Sequence, residues 1–241
     1  MENKTLGVLG GMGPKATSVF FDKVIENTEA HMDQDHIDMI ILNHASLPDR
    51  TMSILDHQEE AFLESIKRDI KLLEHAGVAN IALTCNTAHY FHEQMQAMTN
   101  VNIINMVDET IKSIYLKYGV GSKVGILATN GTRSSGIYKV GCHKYNLEPY
   151  FPDAEVQEQV MSIIYNDVKG DLAVTTNDNL EEIIKDLIFK QQCQCVILAC
   201  TELSCIDLSA DVAKYSIDAM DVLVEKSIKL SGKTVKSHLG A

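Results

Sequence analysis

Two short stretches carry the residues whose types and spacing could do chemistry, Leu83-Thr-Cys-Asn-Thr-Ala-His89 and Leu198-Ala-Cys-Thr-Glu-Leu203. Each places a cysteine just after a compact apolar run, Ile81-Ala-Leu83 in one case and Val196-Ile-Leu198 in the other. Polar side chains follow at once, Asn86 and Thr87 after Cys85, Thr201 and Glu202 after Cys200. A thiol where a buried strand passes into a helix meets the positive end of the helix dipole, which favours thiolate. Two such thiols in corresponding places point to one site with a reactive sulfur on each side. Packing is the plain alternative, since a reduced cysteine is a small hydrophobe. His89, four residues after Cys85 on the same helical face, would either polarise the thiol or bond locally.

Other residues extend or compete with this reading. Arg50, in Leu47-Pro-Asp-Arg-Thr51, lies just past a predicted strand end and could clamp a carboxylate bidentately. Lys169, before Gly170, is by position a cation complementing the end of a helix. Gly11-x-Gly13-x-x-Ala16 fits the dinucleotide fingerprint, although Asn43 stands where its carboxylate is expected. Glycines in such a turn still bring backbone N–H groups close to an anion. Cys193, Cys195, Cys200 and Cys205 are poorly spaced for zinc, and no metal is expected. Cys142 is assigned to a surface-like helix with no specific role. His44 and His57 have no partner identifiable from sequence.

Composition narrows the partners. The 241 residues hold 21 Lys and Arg against 33 Asp and Glu, a net charge of -12. That excludes nucleic acid and anionic membranes as expected partners, and an anionic substrate would need a local positive site. Six cysteines in this length do not make a disulfide scaffold. Met1 to Gly13 lacks a cleavage pattern and no apolar run reaches membrane-spanning length, so a cytoplasmic location is expected.

The elements that must position these residues alternate between strand and helix. Thr5–Leu9, Ile37–Leu42, the run before Cys85 and Val101–Ile104 read as strands. Ala16–Glu29 and His57–His75 read as helices, with Gly77 closing the second. The pattern restarts at Lys123-Val-Gly-Ile-Leu127, and Ala128-Thr-Asn-Gly-Thr132 replaces the glycine turn. Helices at about 153–168 and 177–190 precede the second cysteine strand, and Asp218–Leu230 is the last helix. Gly7 to Gly125 is a shift of 118, Cys85 to Cys200 one of 115, and Lys112-Ser-Ile114 to Lys226-Ser-Ile228 one of 114. Three matches in order imply an internal repeat. The expected fold is α/β, with two similar open, mainly parallel domains in pseudo-twofold repeat, facing across a cleft. The first spans 1–105 joined by a C-terminal helix 216–241, and the second spans 106–215.

Four motifs together, Gly10-Gly-Met-Gly-Pro-x-Ala-Thr17, Pro48-Asp-Arg-Thr51, Thr84-Cys-Asn-Thr-Ala-His89 and Cys200-Thr-Glu-Leu203, resemble those of the aspartate/glutamate racemase family. They fall in its order over almost the whole chain and lie nearest its aspartate racemase branch. The resemblance implies a cofactor-independent amino-acid racemase, often a homodimer, in which Cys85 and Cys200 are the two acid/base residues. It implies that Arg50 and Lys169 bind a substrate carboxylate and that Asn86, Thr87 and Thr201 hold the α-carboxylate. Met12 and Thr129 would line the pocket, with His89 and Glu202 as possible support. A small dicarboxylic amino acid is the implied partner, aspartate before glutamate. Ala199 departs from the family's usual glycine and Lys15 from a frequent glutamate. Within the superfamily a maleate isomerase or hydantoin racemase would keep the thiols. Outside it stand a nucleotide-dependent oxidoreductase built on the Gly11 turn and a catalytically idle amino-acid sensor.

Overall fold

The computed structural model describes residues 4–170 and 177–237. Residues 1–3, within the stretch read for a cleavage pattern, and 238–241, the end of the expected C-terminal helix, lie outside the described residues. The chain divides into two compact units, one running to Met106 and resuming at Met220, the other Val107–Ala219. None of the described helices is long and apolar enough to cross a membrane.

In the first unit β1 (Leu6–Gly10), β2 (Met39–Asn43), β3 (Asn80–Leu83) and β4 (Asn102–Ile103) pair in parallel in the order β2-β1-β3-β4. β1 and β3 are buried along their whole length, the pattern of inner strands covered on both faces. Helices α1 (Pro14–Asn27), α2 (Arg50–Leu55), α3 (Glu59–His75) and α4 (His92–Gln96) lie between the strands, and α5 (Met106–Tyr118) leads into the second unit. Proline opens α1, where a missing N–H costs nothing. α3 drives Phe62, Ile66, Ile70 and Leu73 into the core. Gly77, with φ +76°, ends its run in the left-handed conformation that glycine takes without strain.

The second unit repeats the plan. β5 (Lys123–Ala128), β6 (Glu148–Tyr150), β7 (Cys195–Ala199) and β8 (Ser216–Asp218) pair in parallel in the order β6-β5-β7-β8. Its helices are α6 (Asn130–Ser135), α7 (Ile137–Lys144), α8 (Ala154–Ser162), α9 (Asn177–Phe189) and α10 (Ala210–Ala213). α11 (Ala219–Leu230) then belongs almost entirely to the first unit, where Lys23 Nζ on α1 meets Asp221 Oδ1 at 2.6 Å. The closing segment continues along α1, with the Glu29 amide donating to the Thr234 carbonyl at 2.9 Å.

The repeat extends to single atoms. A Cβ on Gly7 of β1 would lie 3.0 Å from Leu73 of α3 and 3.1 Å from Val78. A Cβ on Gly125 of β5 would lie 3.1 Å from Leu187 of α9 and 3.2 Å from Val196. In each unit a glycine on the first strand lets the helix before the cysteine strand seat closely on the sheet. Two sequence expectations are corrected. β6 was not foreseen, because a three-residue edge strand containing Pro149 shows no alternation. Cys142 lies on a helix but is fully buried rather than at the surface, and burial pushes its thiol up to about 12.

Gly7→Val and Gly125→Val are each expected to overpack their helix–sheet contact and cost about 1–3 kcal/mol. Urea unfolding followed by circular dichroism checks this; an unchanged midpoint in either variant would show that the helix seats without the glycine.

Candidate functional site

The first-unit residues gather where β1, β2 and β3 end. Thr84, past the end of β3, donates its amide to the Leu9 carbonyl at 3.1 Å and brings Oγ1 to 3.3 Å from Thr17 Oγ1. Thr17 on α1 also accepts from the Gly11 amide at 2.9 Å. A Cβ on Gly10 would strike Thr17 at 2.3 Å, so glycine there is needed for this stitching. Gly11, at φ +91°, packs against the backbone of His44, whose carbonyl carbon would lie 2.4 Å from an added Cβ. The glycines of the apparent dinucleotide fingerprint therefore let helix and loop close on the turn.

Cys85 follows this stitching and is 5% exposed, with buried Asn86 and Thr87 beside it. A five-residue 3-10 turn (Thr87–Phe91) comes next and runs directly into α4. His89 spends both ring nitrogens on backbone. Nδ1 is 2.8 Å from the Cys85 carbonyl, which only accepts, so that nitrogen carries the proton. Nε2 accepts from the Met106 amide at 3.1 Å. Burial lowers its pKa to about 4. The ring therefore supports Cys85 through the backbone as a neutral imidazole and makes its bonds away from the sulfur.

Arg50 opens α2 behind Asp49, whose side chain caps the helix by accepting from the Met52 amide at 3.0 Å. Its guanidinium is buried and spans two loops, donating to the Met12 carbonyl at 3.1 Å and the Pro48 carbonyl at 3.0 Å. Two of the predicted residues, Arg50 and Met12, are thus directly bonded.

In the second unit Cys200 follows β7 and is 4% exposed. Its Sγ–H donates to Glu202 Oε2 at 3.0 Å, and Thr201 Oγ1 lies 3.4 Å from the same oxygen. Lys169 Nζ meets the other oxygen, Oε1, at 3.6 Å. Burial first, then the Glu202 charge, pushes the Cys200 thiol well above its ordinary range. The expectation of a dipole-favoured thiolate is overturned here: the helix beyond is a three-residue 3-10 turn (Leu203–Cys205), while the carboxylate is in direct contact. Lys169 is also more than a helix-end cation. It follows a π-helical stretch (Ile163–Val168), with its amide bonded to the Ile164 carbonyl and its Nζ 4.4 Å from the Tyr165 ring centroid. A π turn interrupting a helix often marks a functional position.

Thr129 caps α6 by accepting from the Thr132 amide at 3.1 Å. Sequence reasoning missed its support, Gln157 of α8, whose Nε2 donates to the Ala128 carbonyl at 2.9 Å and to Asn130 Oδ1 at 3.0 Å. It also missed Ser204, which donates to Asp218 Oδ1 at 2.7 Å and joins the ends of β7 and β8. Both are long-range pairings without a local signal. Cys195 begins β7 and Cys200 follows its end, so about 16 Å of strand separates two members of the cysteine series. The Cys193 thiol is pushed up to about 11 and that of Cys195 to about 12, burial being the main cause in each.

Two strand-end thiols in matching positions, each among buried hydroxyl and amide groups, can now be set beside known proteins. The profile of the Asp/Glu/hydantoin racemase family matches residues 9–227. The chain belongs to this family. Its structure is similar to Picrophilus torridus aspartate racemase, at 32% identity and TM-score 0.86 over 98% of this chain and 97% of that one. It is also similar to an aspartate racemase homologue from Pyrococcus horikoshii, at 27% identity and TM-score 0.75 over 95% of this chain and 99% of that one. Francisella tularensis glutamate racemase shares the fold at 20% identity and TM-score 0.62, over 95% of this chain and 81% of that one. In sequence the chain is 37% identical to the broad specificity amino-acid racemase RacX of Bacillus subtilis over 140 residues, 56% of this chain. That match spans 58% of the RacX length.

His89 yields a pH prediction. Its folded pKa of about 4 lies below the ordinary 6.5, so the unfolded chain takes up a proton that the folded chain refuses. This contribution is present above pH 6.5 and is lost as pH falls towards 4. Stability should drop by about 2 kcal/mol between pH 7 and 5. Urea midpoints of wild type and His89→Gln test it; an equal pH slope in the two would remove His89 as the cause.

Proposed function

We propose that this racemase-family chain interconverts the enantiomers of an acidic amino acid, aspartate first, by proton transfer between two thiols without pyridoxal phosphate. Inversion needs a base on one face of Cα and an acid on the other. In one direction Cys85 takes the α-proton as thiolate and Cys200 delivers its proton to the carbanion. In the other direction Cys200 yields its proton to Glu202 and becomes the base, and Cys85, protonated from solvent, acts as the acid. The observation that carries this reading is the 3.0 Å bond from Cys200 to Glu202, at a strand end matching that of Cys85. A buried thiol kept protonated beside a carboxylate is an acid whose proton has somewhere to go.

The α-hydrogen of an amino acid is very weakly acidic, so donors must meet charge as it develops on the carboxylate. Asn86, Thr87 and Thr201 take that role, with Met12 and Thr129 forming pocket walls. Arg50 and Lys169 engage the side-chain carboxylate. The working form in this reading is a cytoplasmic homodimer. A wider amino-acid range is the second reading, favoured by Lys169 already being paired with Glu202 and by the match to a broad specificity racemase.

Proton NMR of L- and D-aspartate and both glutamates in D2O tests the substrate; loss of the α-proton signal with appearance of the opposite enantiomer is expected for aspartate. Cys85→Ser and Cys200→Ser should each cut racemisation by about 10²–10⁴-fold. Near-wild-type turnover in either would refute the two-thiol assignment. Glu202→Gln removes the charge that holds the Cys200 pKa up, so the limb of the kcat/KM profile requiring that thiol protonated should move to lower pH. The loss in kcat/KM should be equal for both enantiomers, whose equilibrium constant is one; an unmoved limb would separate Glu202 from Cys200.

A further inference from the structure

His44 and Asp69 are 25 residues apart, and neither belongs to the chemistry described above. The six residues 44–49 connect the end of β2 to Arg50 at the start of α2. The far end of this loop is held by the Asp49 cap and by Ser53, which donates to the Asp49 carbonyl at 2.7 Å. The near end is anchored through His44. Its amide donates to the Gly10 carbonyl at 3.2 Å, its carbonyl accepts from the Leu47 amide at 3.4 Å, and its Nδ1 meets Asp69 Oδ2 at 2.7 Å.

We propose that the His44–Asp69 pair is a latch that sets the β2–α2 loop, and with it Arg50, for substrate binding; His44 is a positioning residue. Three observations support it. Asp69 stands on α3 next to Ile66 and Ile70, which are fully buried, so the carboxylate is mounted on a core helix. The Asp69 side chain is only 16% exposed and that of His44 33%, so solvent screens the pair less than an open surface contact. Finally, His44 lies directly against Gly11, where an added Cβ would be 2.5 Å from the His44 amide nitrogen. Met12, the next residue, receives the Arg50 guanidinium. One residue therefore braces both the turn that carries Met12 and the loop that carries Arg50.

The chemistry of the pair suits a latch. A carboxylate only accepts, so Nδ1 is the donor in this bond. A hydrogen bond to an ionised group is also stronger than a neutral one.

The role assigned to Arg50 rests on the racemase reading, so the test has two readouts. In steady-state racemisation of aspartate, His44→Ala and Asp69→Ala should each raise KM by roughly tenfold. kcat should stay within about twofold, because the thiols are untouched. His44→Asn, whose side-chain amide nitrogen takes the place of Nδ1, should recover most of the KM. In hydrogen exchange by mass spectrometry, amides of residues 44–52 should exchange faster in both alanine variants, while those of 195–205 stay as in wild type. An unchanged KM, or a kcat that falls as far as kcat/KM, would overturn the latch. Unchanged exchange in 44–52 would overturn it independently. If the wild-type protein turns over no amino acid, the functional reading fails and the exchange result alone decides the latch.

Discussion

A parallel sheet covered on both faces leaves only its strand ends to carry polar groups. That constraint governs both units. β1, β3 and β7 are buried from end to end, so the backbone N–H and C=O groups within them must be paired in the ladder and the side chains are apolar or small, except Asn80 at the start of β3, whose amide oxygen accepts from Asn102. Where the ladder stops, backbone groups turn to local and side-chain partners around Thr84, Cys85 and Asn86 in one unit and Cys200, Thr201 and Glu202 in the other. The glycines on β1 and β5 belong to the same constraint, since they let α3 and α9 close tightly enough to dry the sheet.

Within that frame the two thiols are not equivalent. Cys200 donates to a carboxylate that also meets Lys169, a chain of acid, acceptor and cation. Lys169 moderates the charge of Glu202 while the thiol keeps its proton, a balance that neither residue could reach alone in a buried setting. Cys85 is framed differently, by a histidine that holds its carbonyl and by the Thr17–Thr84 stitching. The asymmetry concerns the path by which each sulfur gains and loses a proton. In the proposed reaction it leaves the chemistry at Cα symmetric, as interconversion of enantiomers requires.

Much of this was legible in the sequence because it is local or periodic. The apolar runs before both cysteines, the amphipathic face of α3 and the repeat offsets are short-range patterns, and the fold follows from them. The pairings Gln157–Ala128, Ser204–Asp218 and His44–Asp69 link residues far apart, with no pattern to announce them. The state of Cys200 was misread because a helix dipole was inferred from a strand–helix junction. A three-residue 3-10 turn stands there instead, and the carboxylate two residues on decides the matter. Cys142 was misplaced because it sits among polar neighbours in sequence while α7 turns it inward.

The most direct test of the two-thiol account follows deuterium during the first few per cent of conversion of one aspartate enantiomer in D2O. Two thiols on opposite faces deliver a solvent-derived deuteron to the product while the recovered substrate keeps its own α-proton. The account therefore predicts deuterated product beside unlabelled substrate. Deuterium entering the recovered substrate as fast as product forms, or product retaining the original proton, would mean that a single group serves both faces, contradicting it.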